Sequence, residues 1–242
     1  MAFNRGVALP SGTYTFSVDG TTSITDYGNN SLDGDADGTD GDDYNIDFSV
    51  VNPDSLTSGE GASKASLDTI SALPATGFAP GVVHQLPAQP ARKDYADLGD
   101  LWLEIPSLGV EMPIVGVPVL DGEWDVTWLG DSAGWLEATA YPTWAGNTVL
   151  TGHVWDADND PGPFAQIKDL RHGDKVVLHA AGSRYTYEVR ENFRVVPDNS
   201  KPLDRSAYDL LTLVTCEGYA ETGSIYHYRR VVKAVLIDVE AE

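Results

Sequence analysis

The chain of 242 residues has one cysteine, Cys216, so no disulfide forms within it and cysteine usage leaves its redox compartment undecided. Bases are also scarce: 15 Lys and Arg stand against 37 Asp and Glu, a formal net charge of −22. That charge repels polyanions, which makes nucleic acid and anionic lipid poor candidate partners. No apolar run approaches the 18 residues a membrane-spanning helix requires. Residues 1–10 carry no apolar core of a signal peptide, so a protein working outside the cell would have its export signal beyond this chain. The strand-like opening with no lead-in reads as a fragment of a longer protein.

What is present falls into three zones. Residues 1–55 hold two alternating, strand-like stretches, Gly12 to Val18 and Tyr44 to Val50, around an Asp/Gly-rich loop. Residues 56–95 are rich in Ser, Ala, Gly and Pro and read as a flexible linker. Residues 96–242 are a succession of short apolar runs, at 101–105, 110–117, 147–153, 175–179, 184–190, 193–196, 210–216 and 225–239, with helical turns expected near 163–170 and 204–208. Many short strands punctuated by Gly, Pro and Asp, with few helices, predict a mainly β chain and a closed or partly closed barrel.

The loop of the first zone places Asp33, Asp35 and Asp37 alternately with small residues, and Asp40, Asp42 and Asp43 follow. Carboxylates this close repel one another unless a cation intervenes. The spacing and Gly38 match the start of a Ca²⁺-binding loop, but Tyr44 stands where the closing Glu belongs. The expectation is a structural Ca²⁺ held by Asp33, Asp35, Asp37 and Asp42, with a bare solvated turn as the alternative. Two strands cannot bury a sandwich core, so this zone reads as a truncated domain. Its flanks resemble the tail of a bacterial surface immunoglobulin-like repeat. A second acidic turn, Asp156, Asp158 and Asp160, is a weaker cation candidate.

Cys216 closes Thr212-Leu213-Val214-Thr215-Cys216, at the end of an apolar strand. A buried thiol there is either a small inert hydrophobe or a nucleophile at a cleft mouth. A thiol attacks carbonyls well only when a base or a positive charge stabilises its thiolate. His153 is suited to that, because it ends the apolar run Asn147 to Thr151 after Gly152, which allows the chain to turn. Arg229 and Arg230 open another strand and can donate to a carbonyl or an oxyanion, but strand alternation admits only one of them to a given cleft. Trp155, two residues past His153, is expected to line a substrate groove.

Taken together, these residues resemble the sortase family. The resemblance rests on Thr212 to Cys216, Thr151-Gly152-His153 and Arg229, and on Gly162-Pro163-Phe164-Ala165-Gln166-Ile167 and Leu103 to Val110, over residues 100–240. It implies an eight-stranded β-barrel and cysteine transpeptidase chemistry with no cofactor needed for catalysis. Cys216 would be the nucleophile, His153 the proton shuttle and Arg229 the oxyanion or substrate clamp, with Arg230 as fallback and Thr215 beside the substrate channel. The partners implied are proteins or peptides bearing a sorting signal and an amine acceptor, from cell wall or protein, at the cell surface.

One further motif lies in the linker zone. Leu73-Pro74-Ala75-Thr76-Gly77 matches the Leu-Pro-x-Thr-Gly sorting peptide, without the apolar helix and basic tail that usually follow it. A chance match occurs in roughly one chain of this length in a few hundred. The expectation is an intramolecular contact, with the peptide as substrate or pseudosubstrate of its own chain. The leading functional reading is a surface transpeptidase. The alternatives are a cysteine hydrolase using water, and a non-catalytic calcium-stabilised surface module in which the barrel is a spacer.

Overall fold

The apolar runs become neighbouring staves of one closed barrel. The computed structural model describes residues 12–18, 43–50, 70 and 72–242, and the chain divides into two units, residues 1–62 and 63–242. In the first unit β1 (Gly12–Val18) pairs antiparallel with β2 (Tyr44–Val50), with Gly12 opposite Val50 and Val18 opposite Tyr44. Asp33, Asp35, Asp37 and Asp42 lie outside the described residues.

The second unit holds β3 (Ala96–Ile105), β4 (Val110–Val117), the short pair β5 (Val119–Leu120) and β6 (Glu123–Trp124), then β7 (Ala133–Leu136), β8 (Asn147–Thr151), β9 (Lys175–Ala180), β10 (Ser183–Val195), β11 (Leu210–Ala220) and β12 (Ile225–Ala241). The barrel closes in the order β10-β12-β11-β8-β7-β4-β3-β9. The two runs read at 184–190 and 193–196 are one strand. The polar break between them is a bulge, a register shift between Val189 and Glu191 against β12, rather than an end. β7, four residues long, was not foreseen. The helical turns are single 3₁₀ turns, at Ile167–Asp169 as expected and at Lys201–Leu203, just before the predicted 204–208.

Side-chain alternation gives the barrel wall two apolar faces. Leu103, Ile114, Leu150, Leu178, Tyr187, Leu213 and Val232 point inward to the main core. Val117, Leu136, Val149, Val214 and Val231, one residue out of phase on the same wall, join a second cluster on the outer face with Ile70, Leu73, Trp124 and Leu203. Thus β11 is buried on both sides, which is why Leu210 to Val214 reads as a continuous apolar run. Asn147, at the start of β8, accepts from the Thr212 hydroxyl (2.7 Å) and donates to the carbonyls of Pro202 (2.8 Å) and Asp204 (2.9 Å), which locks β8 to β11 and the loop before it.

Residues 72–95 are not the flexible linker expected of them. They run as an ordered strap over the outer face. The Leu73 N–H donates to the Pro197 carbonyl at 2.8 Å, the Trp128 indole donates to the Pro87 carbonyl at 2.9 Å, and Leu73 is 2% exposed within the outer cluster. The composition that reads as linker also explains the order. Pro, Ala and Gly side chains lose almost no rotamer entropy on burial, and each proline fixes its own backbone angle.

Candidate active site

Three adjacent strands build the site. β11 runs parallel to β8 and antiparallel to β12, with Val214 opposite Thr151 and Cys216 opposite Arg229. Direct cross-strand partners share a face, so Cys216 and Arg229 both look outward, in phase with Val214 and Val231. His153 follows β8 by two residues. Its position is tied to the cysteine strand by the Thr151 hydroxyl on the Val214 carbonyl (2.8 Å) and the Thr215 hydroxyl on the Gly152 carbonyl (2.8 Å). All three candidates are buried: Cys216 is 1% exposed, His153 2% and Arg229 6%.

Gly152 serves the site by close packing rather than by the turn expected of it. A Cβ there would stand 2.7 Å from the Phe164 ring, so only glycine lets the strand end lie against that phenylalanine. The segment Gly162 to Ile167, carried by the resemblance alone, thereby acquires a physical role: the Phe164 N–H donates to the His153 carbonyl at 3.0 Å and props the histidine turn.

The strap fills the groove between these residues. The Thr76 N–H donates to Cys216 Sγ at 3.1 Å, and the Thr76 carbonyl accepts from the Val154 N–H at 3.0 Å. Arg229 Nε donates to the Pro74 carbonyl at 2.7 Å. The hydroxyls of Thr76 and Thr215 lie 3.4 Å apart, and Thr76 is fully buried. Past Gly77, the Phe78 ring stands 5.2 Å from the His153 ring, the Phe78 N–H donates to the Trp155 carbonyl (3.1 Å), and the Tyr226 hydroxyl donates to the Phe78 carbonyl (2.8 Å). A Cβ at Gly77 would lie 2.6 Å from Val154 Cγ1 and 3.0 Å from the Tyr226 ring. The Thr76–Gly77 peptide bond thus lies between a residue whose N–H meets the Cys216 thiol and one, Phe78, whose ring meets the His153 imidazole.

Burial dominates the electrostatics. It pushes the Cys216 thiol above its ordinary pKa, while the Arg229 guanidinium and the Thr76 hydrogen bonds pull the other way without offsetting it. Burial also lowers the His153 pKa, although the Thr127 backbone, Asp156 and the Val126 backbone each favour the proton. Neither ring nitrogen of His153 has a partner in hydrogen-bonding geometry. With the peptide seated, the resting pair at neutral pH is thus thiol and neutral imidazole. Alkylation of Cys216 by iodoacetamide is expected to rise with pH later than in the same chain unfolded in urea, because the folded thiol ionises at higher pH. A folded profile that coincides with the unfolded one, or precedes it, would contradict this placement of the sulfur.

Beside His153 lies a cavity of about 210 Å³, bordered by Phe78, Trp128 and three acidic residues, Asp131, Asp156 and Asp158. The Asp156 carboxylate accepts from the Asp160 N–H at 2.7 Å and closes the second acidic turn. Among the described residues, no group of three or more metal-ligating side chains converges there or elsewhere.

Arg230, named as the fallback and as a substrate-binding residue, faces away from the groove. Its Nε and Nη2 donate to the two Glu217 carboxylate oxygens (2.6 and 2.7 Å) and its Nη1 donates to Asn192 Oδ1 (3.1 Å), because β12 alternation turns it opposite to Arg229. Trp155 meets the strap through its carbonyl. Sequence reasoning missed Val154 and Tyr226. Tyr226 falls three positions before Arg229 on β12, and its signal was available only as an aromatic on the arginine strand. Burial, and the neighbouring Cys216, push its phenol well above the usual range.

A Sortase domain family model matches residues 103–237. Sortase A of Bacillus anthracis is 27% identical over 140 residues, 58% of this chain and 60% of that protein, so the chain spans under two thirds of this relative's length. A lid mutant of sortase A from Corynebacterium diphtheriae is 26% identical, with a TM-score of 0.50 over 62% of this chain and 75% of that one. Sortase C-3 of Streptococcus pneumoniae, 20% identical, shares the fold with a TM-score of 0.51 over 68% of this chain and 74% of its own. With more than half of its residues matched by the family and the barrel closed in eight strands, the chain belongs to the sortase family.

Proposed function

We propose that the chain is a cell-surface cysteine transpeptidase that cleaves Leu-Pro-x-Thr-Gly peptides after Thr and passes the acyl group to an amine. The observation that carries this reading is the convergence of Cys216, His153 and Arg229 on one groove that already holds a Leu-Pro-Ala-Thr-Gly segment. In the proposed reaction the proton of Cys216 passes to His153 and the sulfur attacks the Thr carbonyl carbon. The carbonyl oxygen gains negative charge beside the Val154 N–H, in the manner of an oxyanion hole. The carbon–nitrogen bond then breaks, His153 returns its proton to the departing Gly amine, and a thioester remains. Arg229 clamps the peptide through the Pro carbonyl and stabilises the thiolate by charge.

A primary amine resolves the thioester by attacking the same carbon and releasing Cys216. The cavity beside His153 supports the acceptor class: its three acidic residues favour an amine carried on a cationic group. The unpartnered imidazole is suited to take the acceptor's proton. Water in the acceptor's place gives the hydrolase reading.

The test is a fluorogenic Leu-Pro-Ala-Thr-Gly peptide, with and without triglycine, presented to the chain and to its Leu73→Asp variant. In that variant a buried charge drives the internal peptide from its seat. Cleavage between Thr and Gly, with triglycine joined to the Thr fragment, is expected. Free acid alone in the presence of triglycine would assign a hydrolase. An uncut peptide with both proteins would overturn the enzymatic reading.

A further inference from the structure

We infer that the chain is its own first substrate: Cys216 cuts the Thr76–Gly77 bond in cis and transfers residues 1–76 to an amine, leaving 77–242 as a catalytic fragment that begins with glycine. The inference rests on the transpeptidase reading above and goes beyond it by naming a substrate and two products.

Four observations carry it. The segment is a complete Leu-Pro-Ala-Thr-Gly sequence with both residues of the bond to be broken, not a partial mimic. Its recognition elements are seated: Leu73 is buried in the outer cluster, the Pro74 carbonyl sits on Arg229, and the Thr76 side chain is fully buried beside Thr215. The Thr76 carbonyl carbon is two bonds from the nitrogen that donates to Sγ, and its oxygen already accepts from a backbone N–H that would meet the developing oxyanion. Finally, position 77 tolerates glycine alone, since any Cβ would collide with Val154 and Tyr226.

Atoms balance without a co-reactant other than the amine. The Sγ–H proton goes to His153, and the sulfur–carbon bond forms at Thr76. The Thr76–Gly77 bond breaks, the proton goes to the Gly77 nitrogen, and a primary amine then takes the 1–76 acyl group and restores the thiol. Tethering supplies the rate. A peptide fixed in the groove is at an effective concentration of at least about millimolar, which a dilute external peptide does not match.

The experiment is incubation of the intact chain with millimolar triglycine, followed by intact-mass spectrometry over a hundredfold range of protein concentration. Cys216→Ala and Leu73→Asp chains serve as comparisons, and the fluorogenic peptide is assayed in parallel. The expected result is a 1–76 fragment carrying triglycine and a fragment starting at Gly77. They should appear with a first-order rate independent of protein concentration and be absent from Cys216→Ala. The Leu73→Asp chain should stay whole and, in the interval before the parent has released residues 1–76, turn over added peptide about tenfold faster than the parent, its tethered competitor being absent. An intact parent chain that nonetheless cleaves the added peptide would overturn self-processing while leaving the transpeptidase reading standing. So would a cleavage rate that scales with protein concentration. An intact chain with the added peptide uncut by both proteins would overturn both.

Discussion

The Cys216→Ala chain is expected to lose activity on Leu-Pro-Ala-Thr-Gly peptide by about 10,000-fold or more in kcat/KM, the scale on which removal of a covalent nucleophile is felt. Nothing else at the site replaces it. The described residues hold no second thiol, and the Thr215 hydroxyl beside it is committed to the Gly152 carbonyl. Cys216→Ser is expected to recover little, since an alkoxide forms far less readily than a thiolate. The substitution removes a single sulfur from a 1%-exposed position, so the circular dichroism spectrum should be retained. Retention of even a hundredth of the parental rate by a folded Cys216→Ala chain would mean that the bond is broken without a thioester.

Arg229→Ala should cost about 100- to 1,000-fold in kcat/KM, the equivalent of about 3–4 kcal/mol for losing a buried charged donor to the bound peptide together with the charge beside the thiol. The guanidinium does two things at once. Its Nε holds the Pro74 carbonyl at 2.7 Å, and its charge draws the Cys216 pKa down against the effect of burial. Arg229→Lys keeps the charge and loses the fixed Nε donor, so it should restore the thiol's pH profile more fully than it restores peptide turnover. That split separates a residue touching substrate from one that only supports the fold. Arg230→Ala provides the contrast: its bonds go to Glu217 and Asn192, and turnover should change far less than in Arg229→Ala. Equal losses in the two variants would refute the assignment of Arg229 to the groove.

Much of this site was legible because strand chemistry is local. The apolar run ending at Cys216 and the Gly152-His153 strand end follow from short segments, and alternation alone stated that one arginine and not both faces the groove. Alternation left open which one; the family resemblance named Arg229, and the pairing of β11 with β12 puts it opposite Cys216. β7 was illegible, as four residues with a glycine among them carry too little periodicity. The break read near Arg190 was a bulge, which sequence alone does not tell from a turn. The motif of residues 73–77 was plain, but its seat was not. Burial of Leu73 depends on an outer apolar face assembled from β4, β7, β8, β11 and β12, a non-local surface. The same blindness made an ordered strap look like a linker.

The grip on the strap beyond Gly77 has a consequence for energetics. Tyr226 and Trp155 hold Phe78 to the barrel, and Asn159 holds Gly81. If the bond before Gly77 opens, the freed amine does not diffuse away but waits next to the thioester on a short leash. Re-closure then competes with every outside nucleophile, and microscopic reversibility makes the cut a shuttling equilibrium rather than a one-way event. Such a latch stays cocked, with its acyl energy conserved in sulfur, until an external amine abundant enough to outrun the leashed one arrives and carries the acyl group away.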